Sequence, residues 1–155
     1  MINKQRTAIA GLAVSAAALV GIASNEGFVP TAYKDTGGVW TIGFGETKDV
    51  KPGETITPQR ALIQLQNSID VHAAGVSNCI TVPLYQREFD AFVDLAYNVG
   101  VNAFCGSPIA KKANAGDYTG ACKAIEGWYV YDRAGHKLPG LVRRRHEESL
   151  KCLQG

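Results

Sequence analysis

The sequence predicts an α+β fold in which a small β-containing N-terminal lobe is joined by a long helix to a helical C-terminal lobe. Three observations carry this. Glycines and prolines punctuate an aromatic-bearing stretch between Val29 and Lys51, whereas apolar residues recur at helical spacing from Pro58 onward. The 155 residues are about one domain's worth, enough to hide roughly 70% of the unfolded chain's surface. A composition of 46% hydrophobic and 19% charged residues is globular rather than disordered, and no fixed-period repeat points to a solenoid.

Taken in order, a helix is expected through the N-terminal segment, stopping at Gly27, a good C-cap residue. Between Val29 and Lys51, Pro30, Gly37, Gly38, Gly43 and Gly45 separate Tyr33, Val39, Trp40, Ile42 and Phe44 into two or three short antiparallel strands. Thr57-Pro58 is a helix start, and Leu62, Leu65, Ile69 and Ala73 give the helix Pro58–Ser77 one apolar face. Phe89, Phe92, Val93, Ala96 and Tyr97 do the same for a helix from Leu84 to about Val99. Shorter helices follow near Ile109–Asn114, Thr119–Ile125 and Leu141–Leu153. Clefts between lobes of this kind are favoured binding sites.

Charge excludes some functions. A formal net charge of +2 is too small to announce a nucleic-acid binder. His72, His136 and His146 lack zinc-ligand spacing with one another or with the cysteines, so neither a metal nor a cofactor is expected. Cys79, Cys105, Cys122 and Cys152 form no CxxC pattern, and an even number fits a disulfide framework better than a metal site. Spacing alone leaves all three connectivities open. Arg143, Arg144 and Arg145 read as a solvated helix face, or as a run in which at least one arginine, not identifiable from sequence, faces the cleft or an acidic partner. Trp128, Tyr129 and Tyr131 read as packing groups, and Trp40 as a neighbour of the binding cleft.

The N-terminal segment has competing readings. After Lys4 and Arg6, residues 7–24 carry no charge, and as a helix they would span about 27 Å, near a bilayer core. Yet 12 of these 18 residues are Ala, Gly, Ser or Thr. A cleaved signal peptide, an ordinary buried helix and an uncleaved export signal that inserts weakly all fit this pattern.

The chemistry points to Glu26 and Asp35, with Thr41 six residues beyond. Glu26 sits at a helix C-terminus, where the negative end of the macrodipole favours a protonated carboxyl, as a general acid requires. Asp35 lies in the polar turn KDTGG, which keeps it ionised, and the Thr41 hydroxyl can hold a water. Two carboxyl groups in unlike environments plus a water site suit cleavage of a glycosidic bond. The pair alone is weak, since two carboxylates nine residues apart occur in most proteins.

The surrounding residues make it specific. The stretch NEGFVPTAYKDTGGVWTIGFGET resembles the active-site region of the phage-type lysozymes, the endolysins of glycoside hydrolase family 24. Glu26-Gly27, Tyr33, Asp35, Gly38, Thr41, Ile42, Gly43 and Gly45 match the family's E-G…Y-x-D…G-x-x-T-I-G-x-G in register. Val82-Pro83-Leu84 through Tyr97-Asn98-Val99-Gly100 is similar to the family's central helix. Asn114-Ala115-Gly116-Asp117 and Gly140-Leu141-Val142-Arg143-Arg144-Arg145 are similar to its C-terminal helices. The resemblance thus covers residues 24–153. One departure stands out: where the family commonly has His after T-I-G-x-G, this chain has Glu46.

The resemblance implies a lysozyme-like fold and an endolysin that hydrolyses the β-1,4 bond between N-acetylmuramic acid and N-acetylglucosamine in peptidoglycan, with inversion. Glu26 would be the general acid, Asp35 would direct the attacking water and Thr41 would help to place it. Asn98 matches a polar position facing substrate. Family members with cysteines in similar places imply Cys79–Cys105 and Cys122–Cys152 disulfides. Cleavage near Ala18 or Ala23 would remove most of the helix carrying Glu26, which favours the uncleaved reading. Residues 1–25 then resemble a signal-anchor-release segment that becomes the first helix, and residues 26–155 form the catalytic domain. The expected enzyme is exported, tethered to the inner membrane, then periplasmic and monomeric, with peptidoglycan as its partner and no nucleic acid. A lytic transglycosylase and a non-catalytic wall-binding or membrane-disrupting protein are the alternatives.

Overall fold

A computed structural model describes residues 5–154; Lys4 and the other expectations on residues 1–4 lie outside them. The chain forms two compact units.

Residues 16–71 make up the first unit. Helix α1 runs Ala16–Glu26 and stops at Gly27, whose φ of +73° only glycine adopts without strain. Strands β1, Val29–Lys34, and β2, Trp40–Gly43, pair antiparallel, with Tyr33 opposite Thr41 and Lys34 opposite Trp40. The other edge of β1 is covered by the chain before α2, where Ala32 N–H donates to Glu54 O and Ile56 N–H to Pro30 O, each at 2.9 Å. Helix α2, Pro58–Cys79, starts at the expected Thr57-Pro58 signal, the Thr57 hydroxyl accepting from Arg60 N–H at 3.3 Å. Its buried stripe is Ala61, Leu65, Ile69 and Val76 rather than the one expected: Leu62 is exposed and Ala73 half-buried. The reason is β2. A Cβ on Gly43 would stand 3.1 Å from the Ala61 Cβ, so the helix needs a small side chain there, and counting bulky residues overlooks it.

The second unit joins residues 5–15 to the chain from His72 onward. Helix α3, Gln86–Val99, buries Phe89, Phe92, Val93, Leu95 and Ala96. Gly100, at φ +94°, breaks it from a short helix α4, Val101–Cys105, absent from the sequence reading because Val99 and Val101 continue the apolar pattern across the break. Helices α5 (Pro108–Asn114), α6 (Tyr118–Ile125) and α7 (Pro139–Leu153) follow, α5 and α6 capped by Ser107 and Asp117. Disulfides join Cys79 to Cys105 and Cys122 to Cys152.

The N-terminal arm departs most from expectation. Helix begins only at Ala16; residues 5–15 hold a single 3-10 turn, Ile9–Gly11, in otherwise irregular chain. No helix among the described residues is long and apolar enough to cross a membrane. The arm is tied down by polar groups instead. Thr7 exchanges backbone hydrogen bonds with Leu84, the Ser15 N–H and hydroxyl donate to Asp90, and Gln86 Nε2 donates to Ala13 O. Arg6 forms a two-pronged bond to Glu88, 3.1 and 2.9 Å, with its guanidinium 4.2 Å from the Tyr85 ring centroid and 3.5 Å from that of Tyr118. These bonds compete with the helix that residues 7–15 would otherwise extend. Glu88 is 2% exposed, so Arg6→Met would strand a buried carboxylate. Arg6 itself is partly solvated, and we expect a loss of about 2 kcal/mol, or a melting temperature lower by roughly 6 °C. A thermal melt within a degree of wild type would show that the clamp adds nothing.

Candidate active site

Glu26, Asp35, Thr41 and Trp40 all fall within residues 16–71. Glu26 is the last residue of α1 and is half-buried. Its Oε2 lies against the turn after β2: a Cβ on Gly45 would approach it to 3.7 Å. That is ordinary van der Waals contact; what favours glycine there is its φ of +90°.

Asp35 begins the β1–β2 turn. Its Oδ1 accepts from the N–H groups of Gly37 and Val39, both at 2.9 Å, a local pattern that Asp-Thr-Gly-Gly is built to form. Thr41 is only 4% exposed, and its hydroxyl donates to Val39 O at 3.0 Å. Val39 therefore fixes both residues through its backbone, its N–H on Asp35 and its carbonyl on Thr41. With its proton committed to Val39, the Thr41 oxygen offers lone pairs to a donor such as water. Trp40 is half-buried, with Lys34 Nζ 5.6 Å from its ring centroid. Glu46 braces the chain that follows β2. Its Oε1 accepts from Thr47 and Lys48 N–H at 2.9 and 2.8 Å, and its backbone pairs with Ile42.

Asn98 lies in the other unit, exposed near the end of α3. Its Oδ1 accepts from Arg145 Nη2 at 2.8 Å. This corrects the reading of the basic run. Arg145 is fully buried, donating to Glu148 Oε1 at 2.9 Å, with its Nε 2.7 Å from Glu148 Oε2 as an ion contact without hydrogen-bond geometry. Arg144 reaches Asp94 at 2.9 Å and Glu148 at 3.2 Å. Only Arg143 is exposed, beside a cavity of about 540 Å³ that also touches Glu126, Lys137 and His146 and holds none of the expected site residues. The signal for this network was available: Asp94 sits between Val93 and Leu95, where an unpaired charge would not be tolerated. The aromatic trio is corrected in part: Trp128 is half-buried with its ring centroid 5.3 Å from that of Tyr129, as a packing group. Tyr129 and Tyr131 are 53% and 57% exposed, because they stand on an irregular loop closed by a hairpin-like bridge between Tyr131 and Lys137 rather than on a helix face. Among the described residues no group of three or more His, Cys, Asp or Glu could hold a metal ion.

Burial, with the Asp94 charge adding, pushes the Glu148 carboxyl from 4.5 up to about 7 against the opposing Arg145 and Arg144. A carboxyl raised on folding stabilises the protein fully below its unfolded value, and that contribution is lost as pH rises through the folded one. Wild type should therefore lose stability relative to Glu148→Gln as pH climbs from 4.5 past 7. Urea unfolding at several pH values tests this, and a pH-independent difference would contradict it.

Similarity to known proteins identifies the family. The phage lysozyme family model matches residues 23–148. The chain is 37% identical over 137 residues to an endolysin of Acyrthosiphon pisum secondary endosymbiont phage 1, covering 87% of this chain and 94% of the relative. It is 37% identical over 145 residues to a SAR-endolysin of Pseudomonas phage phiKMV, covering 92% and 89%. Its structure superposes on an endolysin from Escherichia coli O157:H7 phage FAHEc1 with a TM-score of 0.85 at 35% identity, covering 93% and 95%. Seven α-helices and a two-stranded sheet among the described residues are thus a lysozyme-like α+β fold. The chain belongs to the phage lysozyme family. It is a peptidoglycan-hydrolysing enzyme of the endolysin kind, serving host-cell lysis.

Proposed function

We propose that this lysozyme cleaves the β-1,4 bond between N-acetylmuramic acid and N-acetylglucosamine by single displacement, with Glu26 as general acid and Asp35 and Thr41 as the water site. The observation that carries the reading is the backbone of Val39, which holds the Asp35 carboxylate and the Thr41 hydroxyl at once. Both bonds to Asp35 fall on Oδ1, so Oδ2 is the oxygen that orients the water, while Thr41 accepts its other proton. Glu26 protonates the leaving oxygen from the opposite side, as inversion requires. Asn98 and Trp40 bind the glycan. Mass spectrometry of fragments released from purified peptidoglycan tests this, with NMR of the first-formed anomer. Reducing muramic-acid ends with inverted configuration are expected. Anhydro ends would move the enzyme to the lytic transglycosylases, and retention would make Asp35 a nucleophile.

The same reading extends to residues 1–25 as a signal-anchor-release segment, supported by relatives named SAR-endolysins. With few large apolar groups, the segment has little to lose on leaving a bilayer. The enzyme is first membrane-tethered and then periplasmic. Cell fractionation with N-terminal sequencing should find the intact N-terminus in both places; a chain beginning after Ala18 or Ala23 would refute it.

A further inference from the structure

The bond between Arg145 and Asn98 determines what Asn98 can offer a ligand. An asparagine amide has one accepting end and one donating end, and which faces outward decides what it recognises. Arginine carries donors only and remains protonated, so the atom facing Arg145 Nη2 at 2.8 Å must be the carbonyl Oδ1. The Asn98 NH2 is therefore the end left for a ligand, on a residue that is itself exposed. Arg145 is fully buried and held by Glu148, which in turn binds Arg144 and, through it, Asp94. Arg145 Nη2 bonds Asn98 and Glu148 at once, and a buried guanidinium offers no acceptor to a reversed amide. Donation from a cation to Oδ1 also polarises the amide and strengthens its NH2 as a donor.

We propose that Arg145 is a positioning residue for substrate binding, locking Asn98 as a hydrogen-bond donor to an acetamido carbonyl of the glycan. An acceptor-only oxygen is the group a donor-only site selects, since a hydroxyl gains nothing from its own proton there, and every sugar of the substrate carries an acetamido group. This rests on the glycan-cleaving reading above.

Asn98→Asp separates the parts. Its carboxylate keeps the bond to Arg145 but puts an acceptor where the donor was. KM on solubilised glycan should rise about tenfold, with kcat and the melting temperature held. Arg145→Gln combined with Glu148→Gln removes the pair without leaving either charge unmatched, and the amide introduced at position 145 can donate or accept. It should raise KM at unchanged kcat. In the wild type, the Asn98 side-chain NH2 signals should shift when a tetramer of N-acetylglucosamine is added, and not with its de-N-acetylated counterpart. Wild-type KM in Asn98→Asp, or NH2 signals that ignore the acetylated tetramer, would overturn the donor role. A double variant that only melts earlier would make Arg145 merely structural. Absence of muramic-acid ends from the wild-type digest would instead remove the reading beneath the proposal.

Discussion

Glu26→Gln should lower kcat on peptidoglycan by about a thousandfold while the protein stays folded. A positioned acid contributes roughly 10²–10⁴ to such a reaction, and an amide of the same shape has no proton to give to the leaving oxygen. Glutamine keeps the size and shape of the side chain, so the fold should be retained. Glu26 ends its helix, with the glycine of the Gly45 turn beside its carboxyl and Gly27 setting the stop. Circular dichroism and the melting temperature should match wild type within a few degrees, and binding to insoluble peptidoglycan should persist. Lytic activity within tenfold of wild type would remove Glu26 from the acid's role. Persistent lysis without muramic-acid ends would point to a wall- or membrane-disrupting activity independent of hydrolysis.

What can be read from the sequence follows from local rules. The Asp-Thr-Gly-Gly turn, the Gly27 stop and the Thr57-Pro58 start each depend on residues within a few positions, and each lies where local chemistry puts it. The candidate residues Glu26, Asp35 and Thr41 can be named because the glycines, tyrosine and polar groups around them resemble the family motif in register; their spacing alone would not single them out. What escapes depends on distant partners. Arg6 finds Glu88 across 82 positions, and no periodicity near residue 6 announces it. That clamp, with Thr7 on Leu84 and Ser15 on Asp90, replaces helix by irregular chain in a segment whose alanines would favour helix. Arg145 reads as surface for a similar reason: three consecutive arginines on a helix point in three directions, and only contacts with Asp94, Asn98 and Glu148 decide which are inside. Tyr129 and Tyr131 escape because aromatic bulk implies burial only on a packed element, and they stand on a loop.

Reducing both disulfides should remove most of the stability. The cross-links close 26 and 30 residues of sequence, and in the chain-entropy account each is worth about 3.5 kcal/mol. Their sum of about 7 kcal/mol matches the whole margin of a weakly stable domain, taken as roughly 5–15 kcal/mol. Cys79 leaves the end of α2 and Cys105 ends α4, while Cys122 and Cys152 pin α6 to α7. Reduction therefore loosens the helices that carry Asn98 and the Arg145 network. No cysteine lies within residues 16–71, so reduction should not touch Glu26, Asp35 or Thr41 chemically. Activity should accordingly fall with the folded fraction, with kcat of the surviving enzyme unchanged and its KM raised as the Asn98 and Arg145 network loosens. Urea unfolding with and without dithiothreitol measures the first effect, and kinetics at subdenaturing reductant the second. An unshifted urea midpoint would show that packing alone holds the helices. If the thermodynamic effect is as large as expected, the chain folds well only in a compartment where disulfides form.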